Sequence, residues 1–298
     1  MNKQQSGLVY GLFANLVWGT LPLYWGLMRA ASAWEIIAHR AIWSLLVCWL
    51  AIAARRQLKQ AFRLLRQPRT LCLLALTAGL VSGNWSIYIW SVTVDRIVES
   101  SLGYYITPLM NVAFGVILLR ERMRVLQWIA VAIAAIGVAT LTYDYGRLPL
   151  IALGLACTWG IYSVIKKRLD VDPLTGLAIE TIFAALPAIF FLINLELEGR
   201  AQFGSGLWIS IGLATAGLAT VIPLLAYNSA AVRLPLTTLG LMQYITPTVM
   251  FLVGVFINHE EMSGPRWIGF LTIWLALSFL ATDMLKSGRA GDKGITHG

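Results

Sequence analysis

Two ionisable residues, Arg40 and Glu180, lie within stretches of sequence that are otherwise almost entirely apolar. A charge in the middle of a bilayer costs about 2.5–3.5 kcal/mol on insertion scales, so such residues tend to have a function. We therefore expect the guanidinium of Arg40 to anchor an anionic group and Glu180 to titrate protons or bind an amine. Glu99 is a second candidate for coupling. In the alternative interpretation, Arg40 reaches the outer headgroups and Glu180 pairs with the basic residues 166–168.

Polar and aromatic residues recur at helical spacing in several apolar stretches. Asn84, Tyr88 and Ser91 fall at i, i+4 and i+7, and a similar stripe that includes Tyr104 follows in the next stretch. Such a stripe should not face lipid, where its groups would lack partners, so it faces protein or a wet cavity. The predicted substrate-binding residues are Trp18, Arg40, Asn84, Trp85, Tyr88, Tyr104, Tyr105, Trp159, Tyr227, Gln243 and Tyr244. For each of them the alternative is a structural hydrogen bond between helices or a place in an interfacial aromatic belt.

Membrane-spanning helices must position these residues. Of the 298 residues, 58% are hydrophobic and 12% are charged, whereas soluble proteins carry about 25% charged residues. The apolar runs are about 20 residues long, which matches a hydrocarbon layer of about 30 Å. We predict an all-α membrane protein with ten transmembrane helices at 8–28, 35–54, 71–92, 98–119, 125–143, 149–166, 174–194, 207–231, 236–257 and 264–285.

The two halves of the chain repeat each other. Trp18-Gly19 recurs as Trp159-Gly160, and Tyr105-Ile106-Thr107-Pro108 recurs as Tyr244-Ile245-Thr246-Pro247. Each half contains five predicted spans, an odd number, so the second half must enter the membrane in the opposite sense. Residues 1–148 and 149–298 are therefore predicted to be inverted five-helix repeats around a cavity near the midplane. Pro108 and Pro247 should bend their helices and are the predicted hinges.

The distribution of charge predicts the orientation. The net charge is +9, and most of the 23 Lys and Arg residues fall on the side of the amino terminus. The positive-inside rule then places both termini in the cytoplasm, and the basic balance needs no nucleic-acid partner. The three His and three Cys residues lack metal-ligand spacing, and we find no nucleotide-binding motif, so we expect no metal or cofactor. The oligomeric state stays open, with a homodimer as one option.

Several stretches of sequence resemble one known family. The Pro-containing fourth and ninth spans are each followed by a Glu, and the chain contains Gly83-Asn84-Trp85 and two Tyr-Ile-Thr-Pro stretches. These features are similar to the EamA-type drug/metabolite transporter superfamily, in particular its RarD branch, over residues 7–285. The resemblance implies a ten-helix fold with a central cavity and, for most members, export of small metabolites, amino acids or drugs.

We therefore expect a secondary transporter, most simply an exporter, of a small organic metabolite or drug. It would lie in the inner membrane and work by alternating access through an aromatic-lined cavity. Two alternatives remain at this stage. One is an integral-membrane enzyme that acts on lipid-like substrates, and the other is a membrane receptor or scaffold that does not transport.

Reporter fusions test the predicted orientation. Alkaline phosphatase fused at either end of the chain should be inactive, and green fluorescent protein should fluoresce at both ends, because both ends are expected in the cytoplasm. Ends on opposite faces of the membrane would require an odd number of spans and would contradict the two-repeat prediction.

Overall fold

A computed structural model of the chain describes residues 2–93, 97–145 and 148–257, together with 264, 267–268, 271–272, 274–279 and 281–282. All regular secondary structure in these ranges is helical. The helices are α1 (Lys3–Gly26), α2 (Ala33–Ala54), α3 (Leu58–Leu65), α4 (Pro68–Thr93), α5 (Ile97–Leu119), α6 (Val125–Tyr145), α7 (Leu150–Arg168), α8 (Pro173–Leu197), α9 (Leu207–Ala231), α10 (Leu236–Met242) and α11 (Ile245–Phe256).

Seven of the described helices are long and apolar enough to cross a membrane: α1, α2, α4, α5, α7, α8 and α9. Each coincides with a predicted span. The fifth predicted span corresponds to α6, which contains a shorter apolar stretch, Val125–Thr140. The predicted span at 264–285 lies largely outside the described residues. The fold is thus that of a multi-pass all-α membrane protein, and the full set of ten spans stays a prediction.

Local sequence explains where several helices begin. The side chain of Asp172 accepts a hydrogen bond from the Thr175 backbone N–H at 3.0 Å, and Pro173 occupies the first turn of α8, where its missing N–H costs nothing. Ser32 caps α2 in the same way, by accepting from the Glu35 N–H at 3.1 Å. Both helices consequently start within two residues of the predicted positions.

The ninth predicted span, 236–257, is not one helix. It divides into α10 and α11 at Gln243 and Tyr244. Pro247 has no N–H to offer the Gln243 carbonyl, and its ring would clash with that carbonyl in a regular helix. The carbonyl instead accepts from the Thr246 N–H at 3.1 Å, and the turn tightens. The related Pro108 lies inside a continuous α5.

Helices of the first half pack mainly against helices of the second. α1 lies along α9 and α11, α2 along α8 and α9, α4 along α7 and α8, and α5 along α7 and α10. Glycines permit the closest approaches between these helices. A Cβ at Gly217 of α9 would lie 2.4 Å from the backbone carbonyl carbon of Trp43 in α2. The main core of the protein is therefore the seam between the two halves.

The outside of the bundle is apolar and the inside carries the polar groups. On α8, Leu186, Phe190 and Ile193 are all more than half exposed. Asn15, on α1, is by contrast completely buried. This distribution is the one that a hydrocarbon solvent imposes, because polar groups there must find partners inside the protein.

The contact at Gly217 predicts a selective loss of stability. Gly217→Ala should destabilise the protein by about 1–3 kcal/mol, because the added methyl meets backbone that cannot move aside without separating α2 from α9. Thermal denaturation in detergent measures the change.

Gly79→Ala is the matched control, since Gly79 also lies inside a helix but has open space around its Cβ position. This variant should be neutral or slightly more stable, through helix propensity. Equal effects at the two positions would contradict the packing described here.

Candidate substrate-binding cavity

A cavity of about 480 Å³ lies between helices of the two halves. This volume is within the range of about 300–1,000 Å³ that is usual for small-molecule sites. The structure brings eight of the predicted substrate-binding residues to its wall, together with the predicted hinge Pro108: Trp18, Arg40, Asn84, Trp85, Tyr88, Tyr104, Trp159 and Gln243.

The cavity lies toward one end of the bundle. Its lining comes from the carboxyl-terminal half of α1, the first two turns of α2, the later part of α4 and the early part of α5. Because α1 leads into α2 and α4 precedes α5, these four segments meet at the same end. α7, α9 and the turn between α10 and α11 complete the wall.

Arg40 projects from α2 into this wall. Its Nε donates a hydrogen bond to the Thr220 hydroxyl of α9 at 2.9 Å. The guanidinium carbon lies 4.1 Å from the ring centre of Trp85 and 4.8 Å from that of Trp25. Cation–π contact with two indoles compensates part of the cost of removing the charge from water. Arg40 is thus held between helices of the two halves.

Asn84 fixes one side of the cavity. Its Nδ2 donates to the Leu155 carbonyl and to the Thr158 hydroxyl, each at 2.8 Å, and so ties α4 to α7. On the same face of α4, the ring of Tyr88 packs edge-on against that of Tyr104, with 6.3 Å between centroids. The stripe predicted from helical spacing therefore has both uses, since it joins helices and also faces the cavity.

Aromatic rings close the inner end of the cavity. Trp18 and Trp159, which occupy equivalent positions in the sequence repeat, meet edge to face with centroids 5.4 Å apart. Both rings also contact Tyr227, which is fully buried. The Tyr227 hydroxyl lies 2.7 Å from the hydroxyl of Ser163. This cluster fills the space between α1, α7 and α9.

A buried ion pair lies near the cavity but outside it. Lys166 Nζ lies 2.9 Å from Glu180 Oε1, and both side chains are 6% exposed. The Thr77 hydroxyl of α4 donates to the same oxygen at 2.6 Å. Glu180 borders a separate space of about 30 Å³, enough for one water molecule. The pairing with Lys166 is the one that the alternative interpretation of the sequence described.

At the opposite end of the bundle, Glu121 joins the two halves. This residue follows α5 in the first half, and its carboxylate accepts from the backbone N–H groups of Leu236 and Thr237, at 2.7 and 2.9 Å, at the start of α10. Lys167 Nζ lies 3.6 Å from the same carboxylate and also donates to the carbonyl of Leu234. Three elements, α5, α7 and α10, are thereby joined at this end.

Other predicted site residues lie away from the cavity wall. Tyr227 and Tyr244 are fully buried in the core, where the Tyr244 hydroxyl donates to the Tyr105 carbonyl at 3.1 Å. Tyr105 itself packs partly buried against the same core. Pro247 follows the break between α10 and α11. The side chain of Glu99 is outside those that the structure describes.

The sequence interpretation missed Thr220. This residue shares a face of α9 with Leu224 and Tyr227, at i, i+4 and i+7, and that spacing was the available signal. A threonine in an apolar helix most often bonds its own backbone, as Thr220 also does with the Ala216 carbonyl at 2.8 Å. Within the described ranges, no group of three His, Cys, Asp or Glu residues could hold a metal ion.

The pair of Lys166 and Glu180 predicts non-additive effects on stability. Lys166→Met should destabilise the protein by about 3–5 kcal/mol, because it leaves a buried carboxylate without its cation. The double variant Lys166→Met/Glu180→Met should recover most of that loss, since neither charge remains. Thermal denaturation of the single and double variants measures the coupling. A double variant as unstable as the sum of the singles would contradict the pairing.

Comparisons with known proteins agree with this architecture. The sequence profile of the EamA-like transporter family matches the chain twice, at residues 5–143 and 148–282. A solved crystal structure superposes with a TM-score of 0.73 at 23% sequence identity, and the match covers 94% of this chain and 98% of that one. At this identity the likeness shows the fold.

Relatives in other bacteria match over nearly the whole chain. "Protein RarD" of Streptomyces exfoliatus is 45% identical over 97% of this chain and 92% of its own length. "Protein RarD" of Escherichia coli K12 is 36% identical over 98% and 99%, and "Uncharacterized transporter YojE" of Bacillus subtilis is 37% identical over 97% of each chain. These matches confirm the resemblance. The chain belongs to the EamA-like transporter family, in its RarD branch, and is a multi-pass membrane transporter.

Proposed function

We propose that the protein is a secondary transporter that moves a small organic metabolite or drug by alternating access. The observation that carries this proposal is a cavity between the two halves that is lined mainly from one end of the bundle, while Glu121 joins the halves at the other end. A solute that entered the cavity at the first end could leave at the other only if the contacts of Glu121 broke and equivalent contacts formed at the first end. We propose export as the direction, because the transporters that the sequence resembles mostly export.

The helix pairings support two inverted repeats. In the predicted repeat, α1 corresponds to α7, α2 to α8, α4 to α9, and α5 to α10 and α11. α1 packs against α9 and α11, while its counterpart α7 packs against α4 and α5. α2 packs against α8 and α9, and α8 in turn packs against α2 and α4. The two separate profile matches, 5–143 and 148–282, also support this division.

The two copies of the repeat have different conformations. Tyr-Ile-Thr-Pro lies within a continuous helix in α5, whereas its copy begins at the break between α10 and α11. If the copies exchanged these conformations, the cavity would open at the other end, as alternating access in inverted repeats requires. With both termini in the cytoplasm, the end nearer the cavity faces outward and the end held by Glu121 faces the cytoplasm. Pro108 and Pro247 are the proposed hinges for this exchange.

Glu180 remains our candidate for proton coupling, with Glu99 as the second. The small space beside Glu180 shares Trp85, Thr220 and Leu224 with the wall of the main cavity. A water molecule in that space would lie between Glu180 and these three side chains, which also line the solute site. Binding of a solute in the cavity would then affect the ion pair between Glu180 and Lys166.

A disulfide at the end held by Glu121 tests alternating access. A Cβ at Gly115 would lie 2.9 Å from Thr237 Cγ2, so Gly115→Cys/Thr237→Cys brings two thiols within reach across α5 and α10. Native cysteines are first replaced. A thermal-shift screen of metabolites and antibiotics supplies a ligand, and its radiolabelled form is followed in proteoliposomes. Oxidation should abolish flux, and reduction should restore it.

The single variants Gly115→Cys and Thr237→Cys are the controls. Oxidation should leave the flux of each unchanged from its own reduced form, which separates cross-linking from the close contact of a side chain at position 115 with Glu121. The oxidised double variant should still bind the ligand, because the end nearer the cavity is untouched. Undiminished flux in fully cross-linked protein would contradict alternating access through this seam. Absence of flux for every ligand from the screen would contradict transport by this protein.

A further inference from the structure

We infer that the cavity selects organic monoanions: a carboxylate binds Arg40, and an apolar or aromatic body packs against the tryptophans. This inference rests on the proposed transport function and names the chemical class of the solute. Three observations support it: the charge balance of the cavity, the orientation of the Arg40 guanidinium, and a hydrogen-bond donor on Gln243 that has no acceptor in the described chain.

The charge of Arg40 has no protein counterpart in the described part of the chain. Among the described residues that line the cavity, Arg40 is the one that carries a charge. The ion pairs that the structure describes join Lys166 to Glu180, Lys167 to Glu121 and Arg200 to Glu198, and none of them includes Arg40. A cation that is held away from bulk water without a partner is costly, so an anionic solute gains by supplying one.

The guanidinium is already oriented for such a partner. Thr220 donates its own proton to the Ala216 carbonyl, so its oxygen is free to accept from Arg40 Nε. The rings of Trp25 and Trp85 restrain the plane of the group. The two terminal nitrogens have no hydrogen-bond acceptor among the described residues, and Arg40 lines the cavity. They form the planar fork that binds a carboxylate through two parallel hydrogen bonds.

A second donor remains at the far side of the cavity. Gln243 Oε1 accepts from Asn111 Nδ2, which leaves the Nε2 group of Gln243 without an acceptor in the described chain. Oxygen atoms elsewhere on the solute would satisfy it. Between these two polar points the wall is largely indole and aliphatic, which suits an apolar body.

The same charge balance disfavours amines and zwitterions. An ammonium group would find no carboxylate among the described lining residues, and it would be repelled by Arg40. The cavity therefore distinguishes a simple acid from an amino acid that has the same side chain. A protein that bound amino acids here would need a second, acidic anchor.

Four probes with one aromatic body test the inference: 3-phenylpropionate, its primary amide, 3-phenylpropylamine and phenylalanine. Their dissociation constants are measured near neutral pH with purified protein, at constant chloride concentration. The acid should bind at least tenfold more tightly than the amide, because only the acid completes the charge pair. The amine and phenylalanine should bind no more tightly than the amide.

Variants of Arg40 and its neighbours test whether the preference for the acid over the amide comes from the guanidinium. Arg40→Gln should reduce affinity for the acid to that for the amide, while the amide changes less than about twofold. Arg40→Lys should retain part of the preference, because the charge stays but the fork is lost. Thr220→Val should weaken acid binding alone, since it removes the acceptor that positions Nε. Arg200→Gln, at an exposed ion pair, is the matched control and should keep the full preference.

Equal binding of acid and amide in the unaltered protein, including no binding of either, overturns the inference. So does a preference that survives Arg40→Gln; if that variant does not fold, Arg40→Lys and Thr220→Val decide in its place. Proteoliposome flux separates this failure from failure of the proposed function. Transport of neutral or cationic compounds without the acid rejects only the solute class, whereas no flux of any compound rejects transport itself.

Discussion

The structure depends on one constraint, which is that polar groups cannot face hydrocarbon. Several amides and hydroxyls in the described chain find partners across the seam between its halves. Asn15 Oδ1 accepts from the Thr246 hydroxyl at 2.9 Å, and Asn84 donates to Thr158 at 2.8 Å. Each bond joins a helix of the first half to a helix of the second. The groups that satisfy the membrane constraint therefore also hold the halves in one arrangement.

Sequence periodicity predicted what is local. Helical spacing placed Asn84 and Tyr88 on one face, and hydrophobic length located the spans, because both depend on the geometry of a single helix. It did not predict which neighbour a face meets. Tyr227 is covered by Trp18 and Trp159, and Thr220 lines the cavity beside Arg40, which comes from another helix. Those outcomes depend on packing between distant parts of the chain.

The two copies of Tyr-Ile-Thr-Pro show that local sequence also fails to predict the conformation of the backbone. Both prolines lack the N–H of a regular helix, yet α5 continues through Pro108 while the second copy is interrupted before Pro247. The four shared residues cannot explain two conformations, so the flanking residues and tertiary contacts must select between them. At Gly240, α10 approaches the Pro108 carbonyl so closely that a Cβ would lie 2.9 Å from its oxygen. The two copies thus constrain each other at their contact.

Arg40 and Glu180 differ in how the protein compensates their charges. Glu180 follows Arg40 by 140 residues, close to the spacing of the repeated stretches, and each charge must be compensated within the membrane. Glu180 obtains a cation from its own half, Lys166, and is buried with it. Arg40 obtains two indoles and a hydroxyl, which orient its charge without neutralising it. Glu180 is therefore paired inside the protein, while Arg40 lines a cavity and has no ion-pair partner among the described residues. That difference in compensation is what leaves Arg40, and not Glu180, available to an anionic solute in our proposal.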